Sequence, residues 1–292
     1  MVPRRTSRLD DRQRDDLSPV GALVRRHDRD RFQTALFAPA PRREALFALY
    51  AFNYEIARVR ESVHEAMLGR IRLQWWREAI EAAYSDKPPR RHEVVEPLTA
   101  AICAHRLSRE HFDRLIEARE RDLDEAPPAT LDELEAYAEG SSAPLIQLAL
   151  EVLDVTTPAA KAAANAVGVG YALTGLIRAL PHHARTGRLW IPDDVAAETG
   201  FDPRDYTALR SSPALCLAVE RIAAVAQRHL AAARAMRRDV PRQALAALLP
   251  ARVAAQVLRR LERIRFDPFE AAGAADPLQS WRLALAALLG GY

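Results

Sequence analysis

The chain has 292 residues, of which 49% are hydrophobic and 28% charged. That balance excludes a disordered chain and supplies enough apolar surface for a large core. The formal net charge is only +3, so the sequence pI near 9.1 reflects arginine usage and gives no reason to invoke nucleic acid as a partner.

In chain order, residues 1–15 are polar and charged without an apolar run. They read as a disordered N-terminus and not as a signal peptide, and residues 16–292 read as one domain. Nearly all of that domain has helical periodicity. Leu46, Leu49, Tyr50, Asn53, Ile56 and Ala57 recur on one face, as do Leu73, Trp76, Ile80 and Ala83. Prolines at 39 and 41, 88–89, 127–128, 158, 181, 203, 213, 241 and 268 divide the chain into about ten helices. Ser108, and Thr130 with Glu133 in capping-box spacing, are predicted helix starts. Thr157-Pro158 places proline at a first helical position. Pro181 is expected to kink or end its helix.

No alternating run reaches convincing strand length, so the predicted fold is all-α. The longest uncharged stretch, residues 162–177, is shorter than the roughly 20 residues of a spanning helix. Cys103 and Cys216 are far apart and read as ordinary thiols of a reducing compartment. The expected location is therefore cytoplasmic, with peripheral contact to the inner membrane as the alternative. Over residues 245–264, Leu248, Leu249, Val253, Val257, Leu261 and Ile264 lie on one side and Arg252, Arg259, Arg260 and Arg263 on the other. That pattern suits an interfacial helix, although an amphipathic core helix is the commoner case.

Two segments carry the functional argument. Tyr50 to Glu61 and Leu176 to Pro192 resemble the signature segments of the squalene/phytoene synthase family. Supporting resemblance comes from Phe32 to Pro39, from Leu115 to Leu123, and from Leu134 to Ala143, and it covers roughly residues 26–261. It implies an isoprenoid-synthase-type helical bundle around a central apolar cavity, in which the helices of the two signature segments face each other. Gly168, Gly170 and Gly175 are expected to let those helices approach.

The family's segments carry carboxylates that hold Mg²⁺, which in turn holds a substrate diphosphate. Magnesium takes hard oxygen ligands, and here Ala57 and Arg58 stand at two of those positions while Glu61 alone remains acidic. In the second segment Arg178, Gly187, Arg188 and Pro192 keep register and Trp190 retains an aromatic ring. The expected acids are replaced by Ala179, His182 and His183. The adjacent histidines point to different faces of a helix and read as structural or solvent-facing.

The resemblance is strongest to the subfamily of the mitochondrial complex I (NADH:ubiquinone oxidoreductase) assembly factor and its bacterial relatives. Shared features are Ala51-Phe52-Asn53, Ile71 to Arg77 with its double tryptophan, and Ile177-Arg178-Ala179-Leu180-Pro181-His182-His183. It implies a non-catalytic assembly factor or chaperone with a protein client such as a respiratory complex subunit. The alternatives are a head-to-head prenyltransferase joining two prenyl diphosphates, which alone would require Mg²⁺, and a prenyl-lipid binding protein. No catalytic or metal-ligating residue is assigned. The cavity and anion-site candidates are Tyr50, Arg58, Arg60, Glu61, Tyr137, Arg178, Arg188 and Trp190. The arginines of the two segments, Arg58, Arg60, Arg178, Arg185 and Arg188, are expected either to bind an anion such as a diphosphate or to be neutralised by Glu55, Glu61 and Asp122 as a polar plug, the favoured outcome because unpaired buried charge is costly.

Overall fold

A computed structural model describes residues 17–85, 88–271, 279–288 and 290–292; the predicted disorder of residues 1–15 lies outside them. Helices follow one another as α1 (Pro19–His27), α2 (Arg29–Ala35), α3 (Ala40–Ala57), α4 (Ala66–Ala83), α5 (Val95–His105), α6 (Arg109–Glu120), α7 (Leu131–Val152), α8 (Pro158–Arg185), α9 (Asp193–Thr199), α10 (Pro203–Thr207), α11 (Pro213–Ala235), α12 (Leu245–Leu248), α13 (Pro250–Arg263), α14 (Pro268–Ala271) and α15 (Gln279–Leu288). There is no strand among the described residues. The helices outnumber the ten expected because several short connecting segments are themselves helical turns.

Most proline boundaries fall where the sequence places them. Pro158, Pro203 and Pro213 open helices, each after a side-chain cap: Thr157 accepts from the Ala160 amide, Asp202 from Arg204 and Ser212 from Leu215. Thr130 caps α7 by accepting from the Glu133 amide at 3.2 Å. Two details differ. α6 starts directly after Ser108 as predicted, but the Ser108 side chain makes no cap bond, because its hydroxyl donates to Glu151 on α7 at 2.5 Å. Pro181 does not end α8, which continues to Arg185. Only the final turn lies beyond Pro181, so a single ladder bond is lost, and Tyr206 secures this end by donating to the carbonyls of Leu180 and Arg188.

The 28-residue α8 is the axis of the bundle, packed by α7 on one side and α11 on another, with α13 and α14 also against it. It is long and apolar enough to cross a membrane by length and composition, yet 61% of its most apolar window is buried inside the protein. Gly168 sets its distance from α7: a Cβ there would stand 2.5 Å from Ala143 Cα. Gly170 does the same for α11, where a Cβ would meet Leu230 at 2.7 Å. These glycines therefore seat α8 on α7 and α11, and not on the first signature helix as expected. The double tryptophan is core: Trp76 is buried edge-on to Phe52 at 5.4 Å, and Trp75 packs beside it.

Residues 245–264 do not form one interfacial helix. Pro250 divides them into α12 and α13, and Leu248, Leu249, Val253, Leu258 and Leu261 are buried in the bundle. The amphipathic pattern is that of a core helix, the commoner of the two readings.

Candidate functional site

The helices of the two signature segments, α3 and α8, both line a cavity of about 460 Å³, to which α1, α2, α6 and α7 also contribute. Asn53 faces it from α3, Tyr171 and Arg178 from α8, and Tyr137, Ser141 and Ser142 from α7. Both signature helices reach this cavity, but its lining is not the apolar surface expected. Charged and hydroxyl-bearing side chains supply much of the wall, because the large apolar side chains of the bundle are consumed in helix-to-helix packing.

Three ion-pair groups organise this polar interior. In the first, Asp28 caps α2, accepting from the Arg31 amide at 3.1 Å and from its guanidinium at 2.8 Å. Arg31 is buried, with its guanidinium 4.7 Å from the Tyr171 ring centroid and 6.0 Å from that of Tyr50. Burial works to lower its pKa, but the charge and hydrogen bond of Asp28 oppose burial, and the net shift is upward. Burial raises the pKa of Tyr171 and Tyr50 while Arg31 opposes it, so both stay neutral phenols.

In the second group, Arg178 of α8 donates to Asp30 of α2 at 2.8 Å, at the rim. The third lies deeper. Asp122, in the helical turn Arg121–Leu123, is only 6% exposed. It accepts from Tyr137 at 2.6 Å and from Arg119 and Arg188 at 3.3 Å each. Arg188 also lies 4.5 Å over Trp190, whose ring is 4.5 Å from that of Tyr137.

The sequence-predicted residues thus separate into three sets. Tyr137 and Arg178 line the cavity. Tyr50, Arg188 and Trp190 form the layer behind its lining residues. Arg58, Arg60 and Glu61 do not join them. Arg58 packs over Tyr54 and pairs with Glu55 at 3.4 Å. Arg60 donates to the Val63 carbonyl at 3.5 Å. Glu61 meets only His182, at 3.6 Å between exposed side chains. The reason is local: α3 ends at Ala57, and the turn Arg60–Ser62 leads the chain away. Of the acids expected to neutralise the arginines, Asp122 pairs with Arg188, and Glu55 pairs with Arg58 away from the cavity, while Glu61 meets no arginine among the described residues. At the cavity itself Asp28 and Asp30 complete the pairing. Sequence reasoning missed these two and Arg31, although the alternating Asp28-Arg29-Asp30-Arg31 before an apolar run was visible.

This donor set does not suit Mg²⁺. The carboxylates around the cavity, Asp28, Asp30 and Asp122, each accept from arginine, and a cation would have to displace those guanidiniums. Among the described residues no group of three His, Cys, Asp or Glu side chains could hold a metal ion.

His183 sits against this layer, 6.3 Å from Trp190. Burial pushes its pKa down to about 4, with Arg188 and His182 adding to the effect. The depressed value means the unfolded chain takes up the proton first. The contribution of neutral His183 to stability is therefore complete above pH 6.5 and is lost as pH falls towards 4, by up to about 1.4 kcal/mol per unit. Urea denaturation between pH 7 and 5 should show a steeper fall for wild type than for His183→Gln; parallel curves would exclude this role.

Comparison with known proteins agrees with this architecture. The squalene/phytoene synthase model matches residues 24–288. The NADH dehydrogenase (ubiquinone) complex I assembly factor 6 of Mus musculus is 34% identical over 85% of this chain and 74% of its own length. The Homo sapiens protein is 31% identical over the same shares. A presqualene diphosphate synthase of Rhodopseudomonas palustris is 29% identical over 72% of this chain and 74% of its own. Among solved structures, a dehydrosqualene synthase superposes with a TM-score of 0.79 at 14% identity, covering 92% of this chain and 94% of that one. The squalene synthase HpnC of Alicyclobacillus acidocaldarius gives 0.75 at 20% identity, covering 85% and 94%. With its helical order, its cavity lined by both signature helices and a match spanning nearly its whole length, the chain belongs to the squalene/phytoene synthase family.

Proposed function

We propose that this protein is a non-catalytic member of the family that serves as an assembly factor for respiratory complex I, acting on a protein client at the cytoplasmic face of the inner membrane. The observation that carries the reading is the exchange of metal-holding acids for guanidinium–carboxylate pairs around the cavity. Joining two prenyl diphosphates requires ionisation of a carbon–oxygen bond, and the departing diphosphate must be stabilised electrostatically. Here Arg31, Arg119, Arg178 and Arg188 already hold Asp28, Asp30 and Asp122. These guanidiniums are engaged by the three carboxylates, and the carboxylates are not free for a metal. Similarity to the complex I assembly factors over 85% of the chain supports the same reading.

The test has two arms. Purified protein given labelled farnesyl or geranylgeranyl diphosphate with Mg²⁺ is expected to form no squalene, phytoene or cyclopropyl intermediate above a heat-killed control, and diphosphate is expected to leave its melting temperature unchanged. Deleting the gene in its host is expected to deplete assembled complex I on native gels, with recovery on re-expression. Product formation would restore the transferase reading, and a normal level of complex I in the deletion strain would refute the assembly role.

A further inference from the structure

Three buried polar atoms on three helices around the inner cavity have no hydrogen-bond partner within the protein. They are Asn53 Oδ1 on α3, Arg119 Nε on α6 and Ser142 Oγ on α7. Asn53 is 5% exposed and Ser142 3%. A buried polar atom without a partner destabilises a fold, and most such atoms in proteins are satisfied. Packing gives no reason for Asn53. Its neighbours along α3, from Leu49 to Phe52 and at Ile56, are buried apolar side chains, and a leucine of similar size would extend that core. Three unpaired groups that converge on one space are suited to a partner that enters from outside.

Their chemistry limits that partner. Arg119 uses Nη1 for Asp122 and Tyr137, at 3.3 and 2.9 Å, so its Nε–H is a donor that calls for an acceptor. Asn53 Oδ1 calls for an N–H or O–H, and the same amide group carries N–H donors beside that oxygen. A serine hydroxyl serves as donor or acceptor. The matching molecule carries a carbonyl-type acceptor together with an N–H or O–H donor.

Charge limits it further. Asp28 and Asp30 line the same cavity as Arg31, Arg119 and Arg178. An entering anion meets the two carboxylates and an entering cation the three guanidiniums. Either has to compete with the existing ion pairs, whereas a neutral molecule leaves them intact. The volume of about 460 Å³ falls among small-molecule pockets, which span about 300–1,000 Å³.

We propose that this cavity is a binding site for a small neutral molecule with a carbonyl beside an N–H or O–H group, of the amide or imide class, held by Asn53, Ser142 and Arg119. The site does not depend on the assembly role, and a deletion strain with normal complex I would leave it standing.

The experiment titrates the full-length protein with benzamide, benzoate and benzamidinium, which share one shape and are neutral, anionic and cationic. Saturation-transfer NMR and thermal shift report binding. Benzamide is expected to bind, to raise the melting temperature, and to bind at least tenfold more tightly than either ion. Ser142→Ala should weaken benzamide about fivefold and Asn53→Leu at least tenfold. Asn53→Leu also separates a binding role from a structural one. Having no protein partner to lose, the ligand-free variant should melt at or above the wild-type temperature. An amide that supports the fold, directly or through a bound water, requires a lower one. Absence of benzamide binding, tighter binding of either ion, affinity that neither substitution changes, or a lower melting temperature for ligand-free Asn53→Leu would overturn the proposal.

Discussion

Asp122→Ala is expected to destabilise the protein by about 3–5 kcal/mol, the range for stranding buried charge by removing its partner. Asp122 is 6% exposed and is the shared acceptor for Tyr137, Arg119 and Arg188. Its loss leaves two guanidiniums and a phenol around an emptied centre. Asp122→Asn keeps an oxygen acceptor and should cost less, and Tyr137→Phe, which removes one hydrogen bond, about 1 kcal/mol. The substitutions share one network, so the loss in Tyr137→Phe/Asp122→Ala should be smaller than the separate losses together. Urea titration of all four variants measures this. If Asp122→Ala stays within about 0.5 kcal/mol of wild type, as ordinary surface changes do, the carboxylate does not hold the layer together.

That network also shows what can be read from a chain of this kind. Helices were legible because apolar side chains recur along one face and because Thr130, Thr157 and the prolines mark starts. Tyr137 and Arg178 were legible as cavity residues because they lie on helices whose order matches the family. The pairing of Arg178 with Asp30 was not, since the two are 148 positions apart and periodicity describes one element at a time. The same limit explains the failed convergence of Arg58 and Arg60. Their nearness to the signature motif is nearness along the chain, whereas the turn after α3 points them elsewhere. Ser108 marks the start of α6 as read, but its hydroxyl goes to a remote carboxylate, Glu151, and not to the local amide. Within residues 245–264 the amphipathic pattern runs unbroken, and it is Pro250 that divides the segment into α12 and α13.

Gly168→Ala and Gly175→Ala are expected to act in opposite directions, although both place the same methyl group on the same helix. In a helix interior alanine is favoured over glycine by about 0.5–1 kcal/mol, because glycine gives up more backbone freedom on folding. At Gly175 nothing lies within 4 Å of the added carbon, so that gain should appear in full as a higher melting temperature. At Gly168 the added carbon would lie 2.5 Å from Ala143 Cα and 2.7 Å from its nitrogen. Those atoms are backbone and no rotamer relieves the contact, so α7 and α8 must separate. Overpacking a tight interior costs typically about 1–3 kcal/mol, occasionally more. Here it acts on a helix pair that carries Tyr137, Ser141 and Ser142 on one member and Tyr171 and Arg178 on the other. The separation should therefore loosen the cavity as well as the core, and net destabilisation should exceed the propensity gain. Denaturation curves decide the matter: equal behaviour of the two variants would mean that α7 and α8 are not in the contact described, and a stabilised Gly168→Ala would mean that the bundle yields there without strain.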